Sequence, residues 1–176
     1  YGLEALLHAM VIDIGAGTAD FCVMSGRYPT EDDQRTLTTA GDWIDEQLAT
    51  LLRERHAGIN VSIHTVRQWK ESSCFIGKPA QRVKVTVPIS GKPTEIDITD
   101  EMKAACDALV PPLAETMIDL IAAIEPEYQE AVRHNIILSG GTSQIPGLKD
   151  ALEAALAPYG GGSIRLAEDP VFVGSD

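Results

Sequence analysis

Residues Met10 to Asp20 read MVIDIGAGTAD, an apolar strand that runs into a turn of small residues and straight out again, with an acid at each end, Asp13 and Asp20. In the turn Gly15-Ala16-Gly17-Thr18 almost no side-chain bulk stands between the backbone N–H groups and an incoming anion. Several donors can therefore converge on one phosphate. The pattern is not the dinucleotide fingerprint G-x-G-x-x-G, because Asp20 stands where the third glycine would allow close helix packing. The Walker pattern is absent as well. The segment that follows, Ala19 to Ser25, is short and strand-like, so the turn joins two strands. Taken alone, a tight hairpin with no ligand is the competing reading.

A second stretch, Asn135 to Leu148 (NIILSGGTSQIPGL), repeats the theme of an apolar strand emptying into a glycine-rich turn, here followed by a helix. Gly140 and Gly141 permit close approach to a flat ring or a phosphate, and Thr142 and Ser143 offer hydroxyls. Pro146 is expected in the first turn of a helix over 147–157. Two such turns suggest one nucleotide between them. If the two bends fell on opposite sides of the molecule, that reading would fail.

The elements that must hold these turns follow from periodicity. Strands are expected near 9–14, 19–25 and 35–40 as a meander, then a helix over 42–55 whose Ile44, Leu48, Leu51 and Leu52 share one face. A second helix is expected over 64–73. Alternating residues at 82–88 and 94–98 give strands joined across Ser90-Gly91-Lys92-Pro93. Thr99, with Asp100 and Glu101, is placed as the N-cap of a long helix reaching about Glu125 and kinked or broken at Pro111-Pro112. A short helix over 127–133, the strand from Asn135 and an edge strand Ile164 to Leu166 complete an α/β layered fold.

Strand-DIGAGTAD, then VRQWKESSCF (Val66 to Phe75), then LSGGTSQIPGL, in that order, resembles the actin-like ATPase superfamily. The stretches RYPTEDDQRTLTTAGDWIDEQL, KPTEIDITDEMKAACDALVP and IEPEYQEAVRHNIILSGG are most similar to its magnetosome actins. The resemblance implies an α/β, actin-like (ribonuclease H-like) core over 1–41 and 99–176 with a small α/β subdomain inserted at 42–98. It implies ATP and Mg²⁺ as cofactors. Asp13 would hold a water of the Mg²⁺ shell, and Gly15, Ala16, Gly17 and Thr18 would wrap the β- and γ-phosphates. Asp20 would lie near the attacking water. Lys70 and Glu71 would lie beside ribose and adenine, Gly140, Gly141 and Thr142 would form the adenosine motif, and Gln144 would cover the base. A solvated helix face is the alternative for Lys70 and Glu71.

The same resemblance implies a filament-forming ATPase that passes the γ-phosphoryl group of ATP to water, with self-association as its main contact and magnetosome adaptor proteins as further partners. Members carry a preceding half with its own phosphate loop and a water-positioning helix. This chain is accordingly expected to be the second half only, binding nucleotide weakly and hydrolysing it negligibly by itself. The alternatives are a chaperone- or sugar-kinase-type ATPase of the same superfamily and a non-catalytic interaction module.

Composition narrows the partners. Acids outnumber bases 26 to 14, for a net charge of −12, and no basic run is present to track a phosphate backbone, which argues against nucleic acid. The apolar stretch Ala104 to Ile124 is interrupted by Asp107, Glu115 and Asp119, which argues against membrane insertion. Cys22, Cys74 and Cys106 are far apart and His8, His56, His64 and His134 are scattered, so buried thiols in a reducing cytoplasm are expected rather than disulfides or zinc. The expected location is cytoplasmic and cytoskeletal, with magnetosome association if the likeness extends that far.

Overall fold

The computed structural model describes residues 8–167. Strands β1 (His8–Ile14), β2 (Ala19–Ser25) and β3 (Gln34–Leu37) form the antiparallel meander, while β6 (Ile136–Ser139) and β7 (Ile164–Leu166) extend the sheet on the other side of β1, parallel to it. The order β3-β2-β1-β6-β7 puts β1 at the centre. Central position explains its sequence: Met10, Ile12 and Ile14 are fully buried on one face and Ala9 is buried on the other.

Among the described residues six α-helices accompany the sheet: α1 (Gly41–Arg55), α2 (Ile63–Ser73), α3 (Thr99–Asp107), α4 (Val110–Ala122), α5 (Pro126–Arg133) and α6 (Leu148–Leu156). Strands β4 (Lys84–Ile89) and β5 (Lys92–Asp97) make a separate two-stranded sheet. One continuous cluster of buried side chains runs from Met10, Ile12 and Phe21 through Ile44, Leu48 and Leu52 of α1 to Met102, Leu113 and Leu152. No helix among the described residues is long and apolar enough to cross a membrane.

Four expectations about local structure are corrected. The long helix is broken near its middle as expected, but the break is displaced: α3 ends at Asp107 and α4 starts at Val110, ahead of the prolines rather than at them. Pro111 and Pro112 occupy the first turn of α4, where a missing N–H costs nothing. Thr99 is the first helical residue and not the N-cap, which is Ile98. The Thr99 hydroxyl is spent elsewhere, accepting from the Val83 N–H at 2.7 Å and donating to Asp97 Oδ1.

The β4–β5 connection is the two-residue turn Ser90-Gly91, both at positive φ (51° and 82°), so Lys92 and Pro93 belong to β5. Such a turn matches the twist of the strands it joins. Pro88 and Pro93 face each other in the ladder, and the Pro88 carbonyl turns outward to accept from the Asn60 N–H, so these prolines sit where the ladder asks for no donor. Pro146 precedes α6 instead of entering it. Gly147 caps that helix at φ +90°, its α-carbon so close to the Ile76 carbonyl that a β-carbon would stand 2.1 Å from the oxygen.

Candidate functional site

Both glycine turns sit at the same end of the sheet, because β1 and β6 run parallel and both turns follow their C-terminal ends. That end is the usual place for ligands in an open α/β sheet. The first turn closes on itself, with the Gly15 N–H donating to the Thr18 carbonyl at 2.9 Å. The Gly15 carbonyl then takes two outside donors, Thr142 Oγ1 at 2.8 Å and the Gly41 N–H at 3.1 Å. The Asp42 N–H donates to the Ala16 carbonyl at 2.7 Å. One carbonyl thus pins the second turn and the start of α1 to the first turn.

Gly140 carries the joint between β6 and the 3₁₀ turn Gly141–Gln144 at φ +90°. A β-carbon there would lie 2.4 Å from the Ile14 carbonyl oxygen and 2.5 Å from Asp13 Oδ1. Only glycine lets β6 deliver its turn against the end of β1. Ser143, buried behind the turn, donates its hydroxyl to the Gly140 carbonyl at 2.5 Å and fixes the bend from below.

Between the turns opens a cleft of about 770 Å³. Its wall includes Asp13, Gly15, Ala16, Lys70, Glu71, Gly140, Gly141, Thr142 and Gln144. Cys74, Ile145 and Pro146 supply an apolar side. Three of the singled-out residues, Gly17, Thr18 and Asp20, lie outside that wall, on the exposed tip and return strand of the hairpin. Thr18 Oγ1 and Thr36 Oγ1 both donate to Asp20, at 2.9 and 2.7 Å, so its carboxylate is oriented by two hydroxyls.

Asp13 and Asp20 face each other across the β1–β2 ladder, both exposed, and among the described residues no Lys, Arg or His is paired with either. Like charges directly opposite in a sheet repel. A hard divalent cation held through oxygen ligands and water would relieve that repulsion, so the donor set fits Mg²⁺.

Sequence reasoning missed several residues of this cleft, among them Ser72 and the apolar side of Cys74, Ile145 and Pro146. Gly41 and Asp42 open α1 against the first turn, and Arg67 of α2 lines the wall. Asp45, also missed, does not line the cleft but is fully buried beside Arg67 and Lys70. The available signal was an acid on the same helical face as Leu48 and Leu52. The thiols are less uniformly buried than expected: all three are free, but only Cys106 is fully buried, and burial pushes it up to about 12. Cys74 is half-buried in the cleft wall.

The sequence model for MreB/Mbl proteins matches residues 3–173. The chain belongs to the MreB/Mbl family. Among relatives of this family, the actin-like protein MamK of Paramagnetospirillum magneticum is 37% identical over 174 residues, which is 99% of this chain and 50% of that protein. A solved non-polymerising MamK mutant bound to AMPPNP superposes with a TM-score of 0.91 at 37% identity, covering 98% of this chain and 53% of that one. A MamK double helical filament superposes with a TM-score of 0.90 at the same identity and the same coverage. The fold is the actin-like α/β fold, and the chain spans about half the length of these MreB/Mbl relatives.

Proposed function

We propose that this chain is the ATP·Mg²⁺-binding part of an actin-like, filament-forming protein of the MamK type. The observation that carries the reading is the pair of glycine turns meeting at the Gly15 carbonyl on the rim of one cleft. An AMPPNP-bound relative and a filament-forming relative at 37% identity support it.

In this reading the turn Gly15 to Thr18 wraps the β- and γ-phosphates, offering the N–H groups of Ala16, Gly17 and Thr18 while the Gly15 N–H holds the turn closed on the Thr18 carbonyl, and Gly140, Gly141 and Thr142 take the adenosine end with Gln144 over the base. Lys70 and Glu71 lie along ribose and adenine. Asp13 holds Mg²⁺ through a water, and the ion offsets phosphate charge. Asp20, aimed by Thr18 and Thr36, stands ready to orient a water. Residues 42–98 act as a small subdomain inserted in the core. Transfer of the γ-phosphoryl group to water needs donors on every side of the phosphates and an aligned nucleophile. One cleft wall supplies part of that, so the chain alone binds weakly and turns over negligibly. In the whole protein, slow hydrolysis times filament disassembly, and adaptor proteins attach the filament to magnetosomes.

Calorimetric titration of the chain with Mg·ATP tests the binding step. Saturable heat is expected, weakened by about tenfold or more in Asp13→Ala. No saturable binding up to millimolar nucleotide contradicts it.

A further inference from the structure

Helix α1 carries one carboxylate on its buried face, and that carboxylate organises a wall of the cleft it does not itself line. Asp45 is fully buried. Its Oδ1 lies 2.8 Å from Lys70 Nζ, and its Oδ2 accepts from Arg67 Nε at 3.0 Å. Lys70 Nζ also donates to the Gly41 carbonyl at 3.1 Å, and Arg67 reaches Asp42 Oδ1 at 3.7 Å through a terminal nitrogen. Both cations line the cleft.

A carboxylate withdrawn from water persists only where it is paired. Here the pairing also does geometric work. Lysine and arginine are among the most rotamer-rich side chains, and a free one would spread over many positions. An ammonium has three N–H donors; the Gly41 carbonyl takes one, and Asp45 Oδ1 holds the ammonium by charge at ion-pair distance without accepting a hydrogen bond from it. The anchor is itself fixed to the first glycine turn, because α1 begins with the Gly41 and Asp42 N–H groups bonded to the Gly15 and Ala16 carbonyls. Asp45 lies one helical turn further on, so the phosphate-side turn and the two cations of α2 share one rigid frame.

We propose that Asp45 is a positioning residue of the cleft, holding Lys70 and Arg67 at set places on the wall where the sugar and base of a nucleoside triphosphate would rest, in register with the turn that would take its phosphates. The role rests on the nucleotide reading above. Asp45 touches no ligand in it and acts through Lys70 and Arg67.

The experiment combines a nucleotide-free and a nucleotide-dependent measurement on the chain, its Asp45→Asn variant and, should that variant fold poorly, Lys70→Met, which leaves Asp45 paired with Arg67. Acetylation by an N-hydroxysuccinimide ester, read by peptide mass spectrometry, is expected to reach Lys70 at least about fivefold faster in Asp45→Asn, with the exposed Lys78 unchanged. Calorimetry is expected to show Mg·ATP weakened about tenfold in Asp45→Asn and in Lys70→Met, while Mg·tripolyphosphate stays within about twofold of the parent. Unchanged Lys70 labelling, or equal weakening of both ligands, overturns the positioning role alone. A parent chain that binds neither ligand overturns the nucleotide reading and this role with it, even where the labelling contrast is found.

Discussion

Gly140 and Gly141 are neighbours in sequence and opposites in physical demand. Gly140 sits at φ +90° with the Ile14 carbonyl 2.4 Å from where a β-carbon would go, whereas a β-carbon on Gly141 meets nothing within 4 Å. Gly140→Ala must therefore strain the backbone and push β6 off the end of β1, a loss of at least about 2 kcal/mol. Gly141→Ala should stay within about 0.5 kcal/mol. Thermal or urea unfolding of the two variants checks the contrast, and equal stabilities would mean that the β1–β6 approach is looser than described. Thr99 offers a second case: its buried hydroxyl is the partner of the Val83 N–H. Thr99→Val strands that donor, at a cost of about 1–3 kcal/mol, measurable in the same unfolding experiment.

Among the elements, the hairpin of β4 and β5 is tied to α3 by a small polar cluster. The Arg82 guanidinium beside Asp97, with help from the Thr99 hydroxyl and N–H, holds that carboxyl well below the usual carboxylate range. A carboxyl whose folded value lies below its unfolded one stabilises the fold above the unfolded value of about 4, and the benefit is lost as pH falls from there through the folded value. The partly exposed pair is screened by water, so the effect is modest. Asp97→Asn should flatten the acid side of the stability profile between about pH 4 and pH 2 and leave the shape above pH 5 unchanged. An acid limb identical to the parent's would remove Asp97 from the account.

Element boundaries also show what the sequence makes legible. The β1–turn–β2 hairpin, α1 and α2 were readable from period-two or helical burial, and the 136–139 strand from an unbroken apolar run that empties into a glycine turn. The joint between α3 and α4 was expected but misplaced, because two prolines look like the break wherever they fall. They are harmless inside a first turn, and the chain turns at Ala108 and Leu109 instead. Thr99 and Pro146 were misassigned for a related reason: the hydroxyl of Thr99 and the place of Pro146 are decided by Val83 and Ile76, residues remote in sequence. In the cleft, glycines and hydroxyls announced themselves by type. Asp45 did not, because an acid among apolar helix residues reads as exposed until Lys70 and Arg67 are seen beside it.

At the scale of the molecule, charge dominates. With 26 acids against 14 bases, two copies brought together repel over a range set by the ionic atmosphere, about 10 Å at 0.1 M salt and about 30 Å at 0.01 M. If the protein stacks into open-ended filaments, as heterologous contacts between like subunits permit, assembly should strengthen as moderate salt is added. Pelleting across ionic strength reads this directly, and strongest assembly at the lowest salt would contradict it.

All of this depends on two bends acting on one ligand. Backbone amide chemical shifts of the isotope-labelled chain, followed during titration with Mg·AMPPNP, report on both bends at once. Amides of Gly15 to Thr18 and of Gly140 to Thr142 are expected to move along one saturating curve with a single affinity. Movement of only one turn, or of neither while other amides respond, would contradict that expectation.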